Sequence, residues 1–188
     1  ATVTGVVPTT DGTYRSFVRT TAAQDVARDA LPAGAVVREL TDADDGEHLY
    51  EVRPADTKPF ETLYAGRGRL QEMRAEGGVC TVTLTIPSDV SVRSVVEAFA
   101  AAYDGTTLTA RRTQAEPSES AGTFRARLDE AWTERQREAI SAALHGGLYD
   151  WPRKTSVSTL AEAFDVSSPT FQYHLRAAER KLVELTLE

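Results

Sequence analysis

The sequence predicts an α+β fold: two tandem ferredoxin-like or ACT-like modules, the first incomplete, followed by an all-α domain. Three observations predict it. Strand-like and helix-like segments alternate over the first 112 of the 188 residues, whereas helical periodicity dominates the end of the chain. A polar stretch at 113–122 contains Pro and Gly and is interpreted as a linker. The predicted units are therefore 1–45, 46–112, the linker 113–122 and 123–188.

The first module is predicted to have the order β-β-α-β. Val3–Val7 and Tyr14–Thr20 are β-rich runs separated by a turn signal at Asp11-Gly12. Ala22–Leu31 has helical spacing, and Ala35–Thr41 is again strand-like. This order is the ferredoxin-like plan without its opening strand and helix, so we expect an incomplete module.

The second module is predicted to have the complete β-α-β-β-α-β order. Gly77-Gly78 suits a two-residue hairpin turn, and Ser88 is the candidate N-cap of the second helix. The predicted elements are a strand His48–Arg53, a helix at 59–65, strands Arg69–Ala75 and Val79–Ile86, a helix Ser91–Tyr103 and a strand Thr106–Arg112.

The last unit begins with a capped helix and an aromatic connector. Thr133 is the candidate N-cap, and Gln136 stands three residues later, as a capping box requires. Gly146-Gly147 is expected to end this helix. The connector that follows carries aromatic side chains, which we interpret with Trp132 as hydrophobic anchors of the unit: Trp132, Tyr149 and Trp151.

The next two helices have the layout of a helix-turn-helix. Val157–Phe164, capped by Ser156 or Thr155, is followed by a short turn and a long helix that begins at Pro169. Asp165 stands in the turn where many such turns place Gly, and Asp tolerates a positive φ better than most residues. On the long helix, a buried stripe is predicted at Phe171, Leu175, Ala178 and Leu182.

The opposite face of the long helix carries an amide, a phenol and two guanidinium groups, which are types that read base edges or bind phosphates. Arg176 and Arg180 form a like-charged i, i+4 pair that phosphates or guanines would neutralise. Arg153 and Lys154 are candidate phosphate contacts or solvated loop residues. The candidate DNA-contacting residues are Ser168, Pro169, Thr170, Gln172, Tyr173, Arg176 and Arg180, with Arg153 and Lys154.

These segments resemble the bacterio-opsin activator type of helix-turn-helix regulator from halophilic archaea. The likeness covers roughly Ala131 to Leu185 and rests on Thr-Glu-Arg-Gln-Arg-Glu-Ala from Thr133, Tyr-Asp-Trp-Pro-Arg from Tyr149 and His-Leu-Arg-Ala-Ala-Glu-Arg-Lys-Leu from His174. The residues before the linker resemble, less sharply, the α/β segment of that family. The resemblance implies DNA-binding transcription regulation.

The composition is acidic and poor in lysine. The net charge is −7, and 18 of the 21 basic residues are arginines. A high-salt cytoplasm favours such a surface, although codon bias in a GC-rich genome also replaces Lys by Arg. The total charge argues against nucleic-acid binding, but its distribution does not. Residues 1–122 carry 12 basic and 18 acidic groups, whereas residues 123–188 carry 9 and 10.

Several classes of function are not expected. His48, His145 and His174 lack metal-ligand spacing, and His174 is expected to pack against the first helix or to contact one phosphate. The single Cys80 is interpreted as a small buried side chain. No apolar run is long enough for a membrane span, and no secretory signal is visible. We therefore expect a cytoplasmic protein that is not an enzyme and uses no cofactor or metal.

The leading hypothesis is a sequence-specific transcription regulator that places its helix 169–185 in the major groove of double-stranded DNA. The α/β region would sense a signal or mediate dimerisation. A homodimer is expected, through the α/β modules or through Leu182, Val183, Leu185 and Leu187. The alternatives are an adaptor that binds the basal transcription machinery and an ACT-like sensor of a small molecule.

Overall fold

The computed structural model describes residues 1–23, 34–40, 46–65, 68–112 and 119–187. The predicted helix Ala22–Leu31 lies almost wholly outside these residues, as does most of the predicted linker. The chain divides into two compact units, residues 1–6 with 13–111 and residues 7–12 with 112–188.

The first unit is built on one six-stranded sheet. Its strand order is β3-β4-β2-β1-β5-β6. The two halves of the sheet are antiparallel where their registers are defined: Phe17 lies opposite Glu51, and Val3 lies opposite Met73. The strands are β1 (Thr2–Pro8), β2 (Tyr14–Thr20), β3 (Val36–Glu39), β4 (His48–Arg53), β5 (Arg69–Glu76) and β6 (Val79–Thr85).

The α+β class is confirmed, whereas the pairing of the strands differs from that of two tandem modules. β4, predicted to open the second module, lies between β2 and β3 of the first. The segment predicted as the closing strand, Thr106–Arg112, forms no strand, and Leu108 is 57% exposed. Alternating hydrophobicity defines which face of a strand is buried, but it does not define the neighbouring strand.

Two helices pack against the β5–β6 hairpin: α1 (Lys58–Ala65) and α2 (Val92–Ala102). Leu63, Val95 and Phe99 form their buried core, with Val82 and Leu84 of β6 packed against it. The predicted hairpin turn is confirmed, because both of its glycines have positive φ, as a two-residue type I′ turn requires.

Two further sequence predictions in this unit are wrong. The N-cap of α2 is Ser91 rather than Ser88, and its Oγ accepts from the N–H of Ser94 at 3.4 Å. Cys80 is exposed rather than buried, because it lies near the turn on the outermost strand, beyond the part of β6 that packs on the helices.

A buried ion cluster lies between β2 and β4. Arg15 Nη1 donates to Glu51 Oε1 at 2.6 Å, and Arg53 Nε donates to the same oxygen at 3.0 Å. The side chains of Arg15 and Glu51 are 4% and 1% exposed. Loss of Glu51 would remove the carboxylate shared by the buried Arg15 and by Arg53, so the cluster favours the observed pairing of these strands.

The second unit is helical. Its first described helix begins at Glu119, so the last four residues of the predicted linker belong to a helix. The predicted capping box of Thr133 and Gln136 is confirmed, and so is the N-cap Ser156. The helices are α3 (Glu119–Ala131), α4 (Glu134–His145), α5 (Val157–Ala163) and α6 (Ser168–Leu187).

Candidate nucleic-acid interface

The turn between α5 and α6 has the hydrogen-bond pattern of a Schellman motif. The N–H of Asp165 donates to Glu162 O at 3.2 Å, and the N–H of Val166 donates to Ala161 O at 3.0 Å. Asp165 has φ 55°, so the positive φ anticipated for this position is confirmed. These two bonds satisfy the last carbonyls of α5 and reverse the chain within four residues.

An apolar seam seals the two helices of the motif. Leu160, Ala161 and Ala163 of α5 are buried, and the rings of Phe164 and Phe171 lie 6.1 Å apart. The first turn of α6 is capped by Ser167, whose Oγ accepts from the N–H of Thr170 at 3.3 Å. This cap was not predicted, although Ser before Ser-Pro-Thr is a recognisable N-cap signal.

The predicted stripe of α6 faces the core of the unit. Phe171, Leu175 and Ala178 are buried, and Leu182 is half-buried. Trp132 is half-buried and its Nε1 donates to Ala178 O at 3.0 Å, so it anchors α6 through a hydrogen bond, whereas a hydrophobic anchor was predicted. Lys181 Nζ donates to Ala131 O at 2.6 Å and to Gln136 Oε1 at 2.8 Å, so this lysine joins α6 to the preceding helices.

The opposite face of α6 is exposed along its length. Tyr173 is 70% exposed, and the side chains of Arg176 and Arg180 are 73% and 70% exposed. Pro169, Thr170 and Gln172 are also exposed, and Ser168 is half-buried. The structure thus brings the seven predicted residues of α6 onto one helix whose other side is buried.

The arginines on this face are paired with carboxylates. Arg176 Nη1 donates to Glu179 Oε2 at 3.1 Å, and Arg180 Nη1 lies 3.1 Å from Glu184 Oε1. From the sequence, only the repulsion between the two arginines was recognised, and neither glutamate partner was predicted. The i, i+3 and i, i+4 spacings were the signal that could have found them.

The connector before α5 contacts α6 through Tyr149. Its hydroxyl donates to Glu179 Oε1 at 2.6 Å. Burial, and then the hydrogen bond and the charge of Glu179, raise the pKa of Tyr149 far above its ordinary value, so the phenol is a hydrogen-bond donor at any physiological pH. Tyr149 is half exposed, and its anchoring is polar rather than the predicted apolar kind.

Other connector residues point to solvent. Trp151 is 97% exposed, so its prediction as a hydrophobic anchor is wrong. Arg153 is exposed and Lys154 is half-buried. The loop is closed at its base, because the N–H of Lys154 donates to Gly147 O at 3.0 Å. Gly147 has φ 72°, and an added Cβ would lie 2.8 Å from Lys154 Cβ, so the sharp stop predicted here requires glycine.

His174 lies between the two faces of α6. It is half-buried, and it lines a small cleft with Arg135 and Glu138 of α4. Its Nδ1 is buried without a hydrogen-bond partner among the described residues. Arg135 Nη1 donates to Glu138 Oε2 at 2.9 Å on the same helix. This position agrees with packing against α4, the helix that the sequence predicted to open the unit.

The described residues offer neither a metal site nor a membrane span. Among them, no group of three or more His, Cys, Asp or Glu side chains is placed to hold a metal ion. No helix in the described ranges combines the length and the hydropathy that a bilayer crossing requires.

Comparison with known proteins matches both parts of the chain to family models. Residues 1–126 match the "GAF and HTH_10 associated domain", and residues 132–184 match an "HTH DNA binding domain". No solved structure matches the chain.

Relatives of the chain occur in halophilic archaea. A Haloferax volcanii protein with a provisional transcriptional-regulator name is 32% identical over 78% of this chain, and the transcriptional regulator NarO of that organism is 31% identical over 67%. The bacterioopsin transcriptional activator of Halobacterium salinarum is 25% identical over 90% of the chain. The matched regions span 25%, 60% and 24% of those three relatives.

The first family model alone covers residues 1–126, which is more than half of the chain, and the second covers the helix-turn-helix described above. The haloarchaeal relatives agree with the high-salt interpretation of the acidic, arginine-rich composition. The chain therefore belongs to the bacterio-opsin activator type of haloarchaeal helix-turn-helix transcription regulators.

Proposed function

We propose that the chain binds double-stranded DNA sequence-specifically in the cytoplasm and regulates transcription without catalysing a reaction. The observation that carries this proposal is α6, which buries Phe171, Leu175 and Ala178 and exposes an amide, a phenol and two guanidinium groups on the other side. A helix of this kind, held by a preceding short helix, presents its outer face to the major groove. Gln172 and Arg176 are the groups suited to adenine and guanine edges.

Phosphate contacts are proposed for the ends of this surface. Arg153 is exposed in the loop before α5, and the backbone of Lys154 is fixed to Gly147. Ser168, Pro169 and Thr170 form the first turn of α6, where the helix dipole favours an anion, although Pro169 has no N–H and the N–H of Thr170 already donates to Ser167 Oγ. Phosphate contacts of this type set the register of the helix on the duplex.

The experiment is selection of duplexes from a random pool by the intact chain at molar KCl, followed by titration of the selected and a scrambled duplex. Gln172→Ala and Arg176→Ala should each cost about 1–3 kcal/mol of binding to the selected duplex. Arg93→Ala is the matched control, because Arg93 is exposed and forms the same kind of intrahelical pair, with Glu97. If all three variants bind the selected duplex with equal affinity, the exposed face of α6 is not part of the interface.

The same experiment distinguishes the two alternatives. An adaptor for the transcription machinery would select no duplex, and it would retain RNA polymerase or a basal factor in a pull-down. A small-molecule sensor would show a shifted melting temperature of residues 1–111 with a metabolite. The exposed polar face of α6 favours DNA over both.

We also propose that the chain forms a homodimer through the outer edge of β6. No described strand pairs with this edge, and all seven residues of β6 are uncharged. Val79 is 66% exposed. Single-chain sheets normally protect such an edge with charge, Pro or a bulge, so an uncharged edge is suited to pairing. Two copies of the chain each carry a net charge of −7 and repel one another. An uncharged strand is therefore a place where the two copies can approach each other without local charge repulsion.

A backbone substitution tests the dimer. The N–H of Ala75, which lies opposite Cys80, donates to Ala1 O at 2.8 Å, away from β6, so Ala75 and Cys80 form a non-hydrogen-bonded pair. The N–H of Cys80 therefore points to the outer edge. Cys80→Pro should convert a dimer into a monomer in light scattering at molar KCl, whereas Cys80→Ala, which keeps the N–H, should remain dimeric. A monomeric wild-type chain, or a dimeric Cys80→Pro variant, would contradict this interface.

A further inference from the structure

We propose that Tyr149 and Glu179 are positioning residues that hold Arg176 for base readout, while Arg180 serves as a phosphate contact. The inference rests on the proposed function and assigns different tasks to two arginines that the sequence does not distinguish. It is carried by the two hydrogen bonds that meet at one carboxylate.

Glu179 uses its two oxygens for different partners. Oε1 accepts from the Tyr149 hydroxyl at 2.6 Å, and Oε2 accepts from Arg176 Nη1 at 3.1 Å. The Glu179 side chain is 25% exposed, whereas that of Arg176 is 73% exposed. The carboxylate is thus fixed from the connector side, and it holds one nitrogen of a guanidinium whose other nitrogens have no partner among the described residues.

Arg180 is held differently. Its Nη1 lies 3.1 Å from Glu184 Oε1, and the Glu184 side chain is 51% exposed with no third group fixing it in the described part of the chain. Such exposed intrahelical pairs contribute little to stability and do not define one rotamer. Arg180 is therefore free to exchange Glu184 for whichever phosphate lies nearby.

Preorganisation matters more for a base than for a phosphate. A bidentate contact with guanine O6 and N7 requires two N–H groups in one plane and direction. A guanidinium that is already held in place loses less side-chain entropy when this contact forms. A phosphate presents acceptors in several directions and needs only proximity. The raised pKa of Tyr149 keeps its phenol protonated well above physiological pH, so the hydroxyl remains a donor to Glu179.

The test compares specific with non-specific binding, using the duplex selected by the wild-type chain and a scrambled duplex of equal length. Tyr149→Phe removes only the hydroxyl. It should lower the affinity for the selected duplex about three- to ten-fold and leave the affinity for the scrambled duplex within about two-fold of the wild-type value. In the Arg176→Ala background the same substitution should have no further effect. Arg180→Ala should instead lower the affinity for both duplexes. It should also reduce by about one the slope of the logarithm of the association constant against the logarithm of salt concentration.

Glu179→Gln provides a second variant that is independent of the phenol. It should lower the ratio of specific to non-specific affinity, while the loss of a negative charge raises affinity for the scrambled duplex. Glu184→Gln, its control on the next turn, should raise both affinities equally. Circular dichroism melting of each variant verifies that the fold is retained.

Two results are decisive and distinguishable. Suppose that the wild-type chain selects a duplex, but Tyr149→Phe lowers the affinity for the selected and scrambled duplexes equally, or has its full effect in the Arg176→Ala background. The positioning role is then wrong and the proposed function stands. If the wild-type chain selects no duplex, the proposed function fails and this inference fails with it.

Discussion

Asp165 shows how a single backbone angle supports the helix-turn-helix. Its φ of 55° lies in the left-handed region, and the two hydrogen bonds of the Schellman turn depend on that angle. From the sequence, Asp165 stands where many such turns place Gly, and Asp is among the few other side chains that tolerate a positive φ. The angle thus determines where α6 begins relative to α5.

Substitutions at Asp165 test this role. Asp165→Val should lower the free energy of unfolding of the chain by about 1–2 kcal/mol, because a β-branched side chain is strained at positive φ. Asp165→Gly should not lower it, since glycine adopts the angle without a steric cost. Chemical denaturation of the two variants and the wild type measures the difference. A glycine variant as unstable as the valine variant would show that the carboxylate, and not the angle, is what the turn requires.

Side-chain environments were harder to predict than backbone requirements. Trp132 and Trp151 look alike in sequence, yet one donates to Ala178 O and the other is 97% exposed. Cys80 lies in an apolar run and is exposed all the same. In each case the deciding factor is whether another element covers the position, and local sequence does not contain that information.

At the scale of elements, helix ends were largely predictable and strand partners were not. The capping box of Thr133 and Gln136 follows from local hydrogen bonding, and local sequence specifies it. The position of β4 between β2 and β3 depends on contacts distant in the chain, including the ion pair of Arg15 with Glu51. Alternation in the sequence is compatible with several such pairings, and for this reason two modules were predicted where one sheet exists.

The start of α2 is a case where two serines compete for one local role. The structure assigns the N-cap to Ser91, whose Oγ accepts from Ser94 N–H, rather than to Ser88. Ser91→Ala should therefore lower the free energy of unfolding by about 0.5–2 kcal/mol, and Ser88→Ala should leave it within about 0.5 kcal/mol. Thermal melts of the two variants decide between the serines, and the reverse order of stabilities would restore the sequence-based assignment.

At the scale of the whole molecule, the acidic chain and the almost neutral face proposed for DNA recognition offer little long-range attraction to DNA. The net charge is −7, and on the exposed face of α6 each arginine is already paired with a glutamate. In molar salt the Debye length is about 3 Å, so only charges in contact interact. Affinity under such conditions has to come from close base contacts and from the two recognition helices of the proposed dimer.

We therefore predict a shallow salt dependence of specific binding. If Arg153, Lys154 and Arg180 are the phosphate-contacting cations of one subunit, the logarithm of the association constant should fall with the logarithm of KCl concentration with a slope of about −2 to −3 per subunit. Fluorescence anisotropy of the selected duplex between low and molar KCl measures the slope, and the scrambled duplex serves as the control. A slope of about −6 or steeper per subunit would mean that other basic residues contact the backbone, so that phosphate contacts rather than the face of α6 would dominate recognition.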